Sequence, residues 1–406
     1  MDGPAGLSLY LHIPFCRSKC GYCGFYSCPQ EDFRIHKAYL DQLLREARIM
    51  LEALRPAAIP SLYIGGGTPT VIAPGLWDEF LEALFSLLPG GPAVPEATME
   101  ANPESLTPEH LEVLARRGIN RLSLGVQSFS GRVLKLLGRR AGEKEIRSAL
   151  DLIRENWSGR LSLDLITEAP GQGLREALFD LEQGTALRPD HLSLYLFTLE
   201  EGSAFFARPP KKKVREDLFF RGLDFLAGRG FVRYEVSNFY REGAGEKAIC
   251  RHNLGYWRME PYLGLGAGAA STLPGRFPGG SPRRRANPGD WEAYLEVQNF
   301  FDFAGEEGLS PGDFLTEYLL MGFRLLGGIE KGRFVRIFGR TLEDCLPDWC
   351  ARHGKAGDLE APGPVYRLTE RGLRFMNPLL REARLELDRL EGWFSPGPGS
   401  PEIHWP

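Results

Sequence analysis

The chain has 406 residues, 43% hydrophobic and 25% charged, an ordinary balance for a soluble globular protein with room for one large domain and a smaller one. A net charge of −4 gives no global case for nucleic-acid binding, and no uninterrupted apolar run reaches the ~18 residues of a membrane span. Seven cysteines, three of them crowded into one loop, are not a disulfide framework; such thiols fit a reducing, cytoplasmic setting, and the N-terminus shows no leader pattern.

The first element is an apolar run, Leu7 to Ile13, that reads as a β-strand. It feeds Cys16-Arg17-Ser18-Lys19-Cys20-Gly21-Tyr22-Cys23, a loop that can bend three sulfurs onto one small inorganic object. Structural zinc usually takes four protein ligands. Three thiolates on a cubane 4Fe–4S cluster leave one iron open to a small chelating molecule. Cys28 could still close a four-cysteine zinc or electron-transfer site. Residues 33–55 read as a helix, with Phe33, His36, Leu40, Leu43, Ala47, Met50, Leu51 and Leu54 at helical spacing. Strand Ser61-Leu62-Tyr63-Ile64 then runs into Gly65-Gly66-Gly67-Thr68-Pro69. Glycines there let the backbone approach a ligand closely, or simply make a tight loop; no Gly-Lys-Ser/Thr follows, so it is not a phosphate loop.

A helix over 76–88 precedes the strand Ala97 to Ala101, which carries Glu100. That carboxylate can accept hydrogen bonds from amino or hydroxyl groups, and alone it also reads as a solvated loop residue. Thr107 caps a helix that starts on Pro108 and stops at Gly118. Strand Asn120 to Val126 ends in Gln127-Ser128-Phe129. Arg139 and Arg140 follow a short helical piece, and either could be a surface charge. After helix 143–156, strand Leu161 to Ile166 holds Asp164, an acid that needs a partner or ligand inside an apolar strand. Helix 173–183, strand His191 to Phe197, helix 214–228 and strand Phe231 to Val236 complete the rhythm. Strand, polar loop and helix repeat about six times, the βα signature of a parallel sheet. With no clear seventh and eighth units, the fold expected is α/β, an incomplete parallel (β/α)6 TIM-like barrel over 1–240. Barrel chemistry sits at strand C-terminal ends, so chain order alone puts Cys16–Cys23, Gly65–Thr68, Glu100, Gln127 and Asp164 around one rim.

The run Pro209-Pro210-Lys211-Lys212-Lys213-Val214-Arg215 reads as a solvated face. Residues 241–300 form a connecting segment with His252-Asn253-Leu254-Gly255-Tyr256-Trp257; Cys250-x-His252 is half a zinc pattern without a second half. Residues 301–406 read as a small helical domain with a short hairpin. It lacks a basic face for DNA, and a lid over the barrel mouth is the expectation. Trp393 to Pro406 is rich in Gly and Pro and expected to be loosely held.

Tyr10-Leu11-His12-Ile13-Pro14-Phe15-Cys16 through Cys23-Gly24-Phe25 resembles the radical S-adenosylmethionine (SAM) superfamily, in the branch of oxygen-independent coproporphyrinogen III oxidases and HemW-type heme chaperones. Gly65-Gly66-Gly67-Thr68-Pro69, Glu100-Ala101-Asn102-Pro103, Gly125-Val126-Gln127-Ser128-Phe129 and Leu192-Ser193-Leu194-Tyr195 carry the resemblance along the chain. It implies a 4Fe–4S cluster on Cys16, Cys20 and Cys23, with Cys28 outside. It also implies SAM contacts from Tyr10, Phe25, Gly66, Gly67, Thr68, Glu100, Gln127, Arg139 and Asp164. Reductive cleavage of SAM to a 5′-deoxyadenosyl radical is the chemistry so implied. His-Asn-x-x-Tyr-Trp resembles the chaperone side, where the histidine is a proposed heme ligand, and implies heme at His252, Tyr256 and Trp257. By its neighbours alone, His252 reads first as a core or capping histidine beside a packed aromatic pair.

Three positions depart from the branch: Ala141 and Ala270, where relatives commonly have His, and Glu168, where they have Gly. The implied function is a heme chaperone that binds heme, cluster and SAM and delivers heme to acceptor proteins. An electron-donor protein and transient contact with membrane-bound heme proteins go with that reading. The alternatives are a coproporphyrinogen III oxidase, a radical SAM enzyme acting on another small molecule, and a four-cysteine metal module. The oxidase is disfavoured by Phe25, where it typically has a further cysteine.

Overall fold

The computed structural model describes residues 4–91, 93–211, 217–274, 282–301 and 307–389. The basic run from Lys212 onward and the segment from Trp393 lie outside the described residues. Seven strands run parallel: β1 (Ser8–Ile13), β2 (Ser61–Gly66), β3 (Glu96–Ala101), β4 (Arg121–Gln127), β5 (Arg160–Thr167), β6 (His191–Leu196) and β7 (Tyr262–Leu265). Their order in space is β7-β1-β2-β3-β4-β5-β6, extended at both ends by antiparallel strands into an open twelve-stranded sheet. This is an incomplete parallel α/β barrel, with a smaller, mostly helical C-terminal part.

Alternation along each strand explains both faces of the wall. Leu9, Leu11 and Ile13 on β1, Leu62 and Ile64 on β2, Leu122 and Leu124 on β4, and Leu192 and Leu194 on β6 are fully or almost fully buried. Successive side chains point to opposite faces, so the intervening residues turn inward. They are polar: Tyr10, His12, Tyr63, Glu100, Ser123, Asp164 and Ser193. Register sets them side by side, with Tyr10 opposite Tyr63, Glu100 opposite Ser123 and Asp164 opposite Ser193. The barrel therefore has an apolar coat under its helices and a hydrogen-bonding interior.

Two expectations change. Phe231–Arg233 is not a further parallel strand; it pairs antiparallel with Asn238–Arg241, because the few residues between them allow a turn and not a crossover. The seventh parallel strand is β7, from the segment after 240, with Ser8 to Leu11 opposite Tyr262 to Leu265.

The C-terminal part has its own core around Phe314, Phe323, Phe334, Phe338 and Trp349 and a three-stranded sheet of Ile329–Glu330, Val365–Leu368 and Leu359–Glu360. It joins the barrel where Leu326 N–H bonds Tyr234 O at 3.2 Å and where Arg233 meets Glu370 at 3.6 Å. Among the described residues it does not cover the cysteines, whose cavity is lined by residues between Cys16 and Glu201. No described helix is long and apolar enough to cross a membrane.

Candidate functional site

The C-terminal ends of the parallel strands surround a cavity of about 600 Å³, and Cys16, Cys20 and Cys23 all face it. The loop that carries them is tied down at both sides: Gly21 N–H bonds Leu137 O at 3.2 Å, and Phe205 N–H bonds Gly21 O at 2.8 Å. Cys16 is buried, whereas Cys20 and Cys23 are half-buried. Cys16 Sγ lies 3.5 Å from Thr68 Oγ1, and Arg139 Nη1 donates to Cys20 Sγ at 3.9 Å. Burial pushes the Cys16 thiol up to about 11 and raises that of Cys23. Cys28 does not line this cavity; it sits on a two-residue strand opposite Phe15, where burial, with Asp290 and Glu292 adding and Lys19 opposing, raises its thiol.

Among the described residues no three His, Cys, Asp or Glu side chains converge as one metal ion would require. A cubane offers a separate iron to each thiolate, so three thiols spread around one cavity suit its donor needs. Two orphaned polar atoms beside them suit a small polar molecule. Arg139 bonds Asn102 Oδ1 at 3.1 Å and Gly125 O at 2.6 Å, yet its Nε is buried without a partner. Asp164 Oδ2 accepts from Ser123 Oγ at 3.0 Å, yet its Oδ1 is buried without one. A three-thiolate cluster with a small polar ligand beside it therefore fits these residues.

Glu100 completes the rim. Its carboxylate accepts Tyr63 O–H at 2.7 Å and Gly66 N–H at 3.1 Å, and burial, with Asp164 adding, pushes it up to about 7. The glycines have packing reasons as well. Gly66 has φ +109° and a Cβ there would meet the His12 ring at 2.5 Å; a Cβ on Gly67 would meet Phe15 O at 2.5 Å. Thr68 Oγ1 accepts from Asn102 Nδ2 at 2.9 Å. Gln127 sits beside a register shift, at φ 67°. A bulge re-aims its residue, and Gln127 lines the cavity. Phe25 stands at the mouth, 66% exposed. Tyr10 is apart: it does not line the cavity, and its hydroxyl donates to His12 Nδ1 at 2.8 Å, while His12 Nε2 donates to Tyr26 O at 2.9 Å.

Asp180 was not legible as a site residue. It accepts from Ser128 Oγ at 2.8 and 2.9 Å, from Phe129 N–H at 2.6 Å and from Gln172 Nε2 at 3.2 Å, pinning the loop after Gln127. Burial pushes this carboxyl up to about 7. An acid on helix Leu174–Ala186 looks solvated from its neighbours in sequence.

His252, Tyr256 and Trp257 lie at the other end of the barrel. Ser61 opens β2 and Gly66 closes it, so His252, beside Ser61, is roughly 16 Å below the glycine loop. The network assigns the tautomer. Ser61 Oγ donates to Ser8 Oγ at 2.9 Å, so it accepts from His252 Nδ1–H at 2.8 Å, and His252 Nε2 accepts Tyr256 O–H at 3.0 Å. The ring stacks on Tyr63, centroids 5.1 Å apart, and burial pushes it down to about 3. Iron would need the lone pair that Tyr256 occupies, so a ligand role would require the Tyr256 hydroxyl to move aside. Glu96 accepts the N–H groups of Arg251 and His252, both at 3.0 Å, and Cys250 Sγ donates to it at 3.6 Å; this is a helix cap in place of a zinc half-site. Trp257 lies under the Arg324 guanidinium at 5.0 Å and lines a cavity of about 840 Å³ between barrel floor and C-terminal part.

The family model for the Radical SAM superfamily matches residues 10–182. The chain is 33% identical to the heme chaperone HemW of Escherichia coli (strain K12) over 377 residues, 92% of this chain and 97% of that one. The chain belongs to the HemW family of radical SAM proteins. Within that family, HemW of Bacillus subtilis (strain 168) is 28% identical over 90% of this chain and 96% of its own length. The mitochondrial radical S-adenosyl methionine domain-containing protein 1 of Mus musculus is 32% identical over 79% of this chain and 74% of its own. The fold of this HemW-family chain is like that of the coproporphyrinogen III oxidase HemN from Escherichia coli, with a TM-score of 0.77 over 96% of this chain and 91% of that one, at 21% identity.

Proposed function

We propose that this chain is a heme chaperone that carries a 4Fe–4S cluster and binds SAM, and that it delivers heme to acceptor proteins in the cytoplasm or at a membrane surface. One observation supports the cluster and SAM part above the others. Three cysteines, two barrel acids and an arginine with an unmet N–H face one cavity at the strand ends. The names of its relatives support the heme part.

In this reading Cys16, Cys20 and Cys23 hold the cluster. When bound and reduced by a donor protein, it supplies the electron that cleaves SAM. The other residues bind and orient. Arg139 offers its free Nε–H to an anionic group such as a carboxylate. Asp164 Oδ1 accepts from an amino or hydroxyl group, and Glu100 receives a second such donor beside Gly66. Gln127 presents both amide atoms from its bulge. Thr68 steadies Cys16, and Phe25 shields the mouth from water. Cleavage chemistry belongs to the cofactors; position and exclusion belong to the chain.

Anaerobic reconstitution tests it. The expected result is about four irons per chain, SAM binding that depends on Arg139, and a stoichiometric heme complex. Zinc in place of iron, or turnover of coproporphyrinogen with no heme complex, would refute it in favour of a metal module or the oxidase.

A further inference from the structure

The cysteine cavity has a neighbour on the same rim. Where β6 ends, Leu196 and Phe197 form a wall shared with a second cavity of about 610 Å³. Its far side is built by Phe219 and Phe220 of helix Leu218–Gly228 and by Leu373 and Arg374 of the C-terminal part. Size and lining match small-molecule sites, which are mostly apolar with a few placed polar groups. Leu196 and Leu199, which line it, leave 43% and 44% of their surface exposed, apolar area that no described residue covers.

The charges around this cavity are unequal in availability. Glu168 accepts Phe219 N–H at 3.0 Å and has a further interaction. Arg233 donates to the carbonyls of Glu235 and Val236, at 3.1 and 2.9 Å, and pairs with Glu370. Arg374 lies 4.2 Å over the Phe220 ring, and among the described residues no carboxylate pairs with it. Arg233 also lies over an aromatic ring, that of Phe219 at 5.9 Å, but it is paired with Glu370; an apolar cavity whose other ring-bound cation, Arg374, has no carboxylate partner among the described residues suits a flat apolar molecule that ends in a carboxylate.

We propose that the tetrapyrrole sits here, its ring against Phe219, Phe220, Leu196 and Leu199 and one propionate on Arg374. The inference rests on the heme reading above and changes the address: the site adjoins the cysteine cavity, and His252, at the opposite end, supports the core. The C-terminal part then supplies one wall of the heme site, which explains why it packs beside the barrel mouth without covering the cysteines.

The test is an anaerobic titration of the full chain with hemin and with hemin dimethyl ester, which has no free carboxylate. Arg374→Glu is expected to weaken hemin binding by roughly tenfold and ester binding by less than about twofold. Arg333→Glu, in the cavity under Trp257, is expected to bind hemin as the wild type does. Wild-type affinity in Arg374→Glu, an equal loss for both probes, or a loss confined to Arg333→Glu would overturn the placement while leaving the heme reading intact. If the wild-type chain binds neither probe, the heme reading falls, and the placement with it.

Discussion

The burial of His252 as a neutral ring has a thermodynamic signature. Burial holds this imidazole at about 3, against about 6.5 in an unfolded chain. The folded value is the depressed one, so the neutral ring contributes its full stability above about pH 6.5. As pH falls from there toward 3, the unfolded chain takes up a proton that the folded chain refuses, and stability is lost. From pH ~6.5 to pH ~5 the loss is about 2 kcal/mol, at ~1.36 kcal/mol per pH unit. His252→Asn removes the titration along with a hydrogen bond, which costs about 1–3 kcal/mol near neutral pH. It should then lose about 2 kcal/mol less than the wild type between pH ~7 and pH ~5. Urea unfolding at both pH values, followed by circular dichroism, measures this. Other shifted groups, such as His191 and Glu235, act in both proteins and cancel in the difference. Equal acid losses in the two proteins would refute the buried, neutral ring. Unchanged stability with lost heme binding would return His252 to the ligand role.

Three further outcomes follow from the site. Cys28→Ser should keep about four irons per chain after anaerobic reconstitution, whereas Cys20→Ser should fall well below that; iron analysis showing loss in Cys28→Ser would bring the four-cysteine site back. Gly67→Ala places a methyl 2.5 Å from Phe15 O and 2.8 Å from Ile13 O, both backbone, and should cost about 2–4 kcal/mol. An unaltered melting temperature would contradict the packing of the glycine loop beneath β1. Asp180→Ala should weaken SAM binding about tenfold by calorimetry, since it frees Ser128 and Phe129 and leaves Gln127 unsupported at its strained φ; unchanged affinity would mean that the bulge holds itself.

How much was legible depends on how local the physics is. The barrel strands could be read because apolar and polar residues alternate along each one, and the rim because Glu100, Gln127 and Asp164 stand at or near strand ends in chain order. β7 was hidden because four residues with a glycine among them carry little periodicity, and because its partner β1 lies far away in sequence. Asp180 and Glu96 were missed for the same cause: each satisfies backbone N–H groups from another element, and nothing beside it in sequence reports that. For His252 the motif gave the residue types but not the partners, and its two ring nitrogens are already bonded to Ser61 and Tyr256.

The departures from the branch pattern look different once placed. Neither Ala141, Ala270 nor Glu168 lines the cysteine cavity. Ala141 is buried, and Ala270 pairs with Ala286 beyond the β7 edge. Glu168 lines the cavity assigned above to the tetrapyrrole. Its φ is 62°, a left-handed backbone that suits the glycine expected there and costs another residue roughly 1–2 kcal/mol. The carboxylate offsets this by accepting Phe219 N–H at 3.0 Å, one of the unpaired amides at the start of helix Leu218–Gly228. Glu168→Ala keeps the strain and loses that bond, so it should destabilise the chain by about 1–2 kcal/mol. Glu168→Gly loses the bond and the strain together, and should stay within about 1 kcal/mol of the wild type. The difference between the two variants in urea unfolding isolates the backbone cost. If alanine and glycine prove equal, residue 168 is not held left-handed, and the link between this departure and the helix bearing Phe219 and Phe220 is broken.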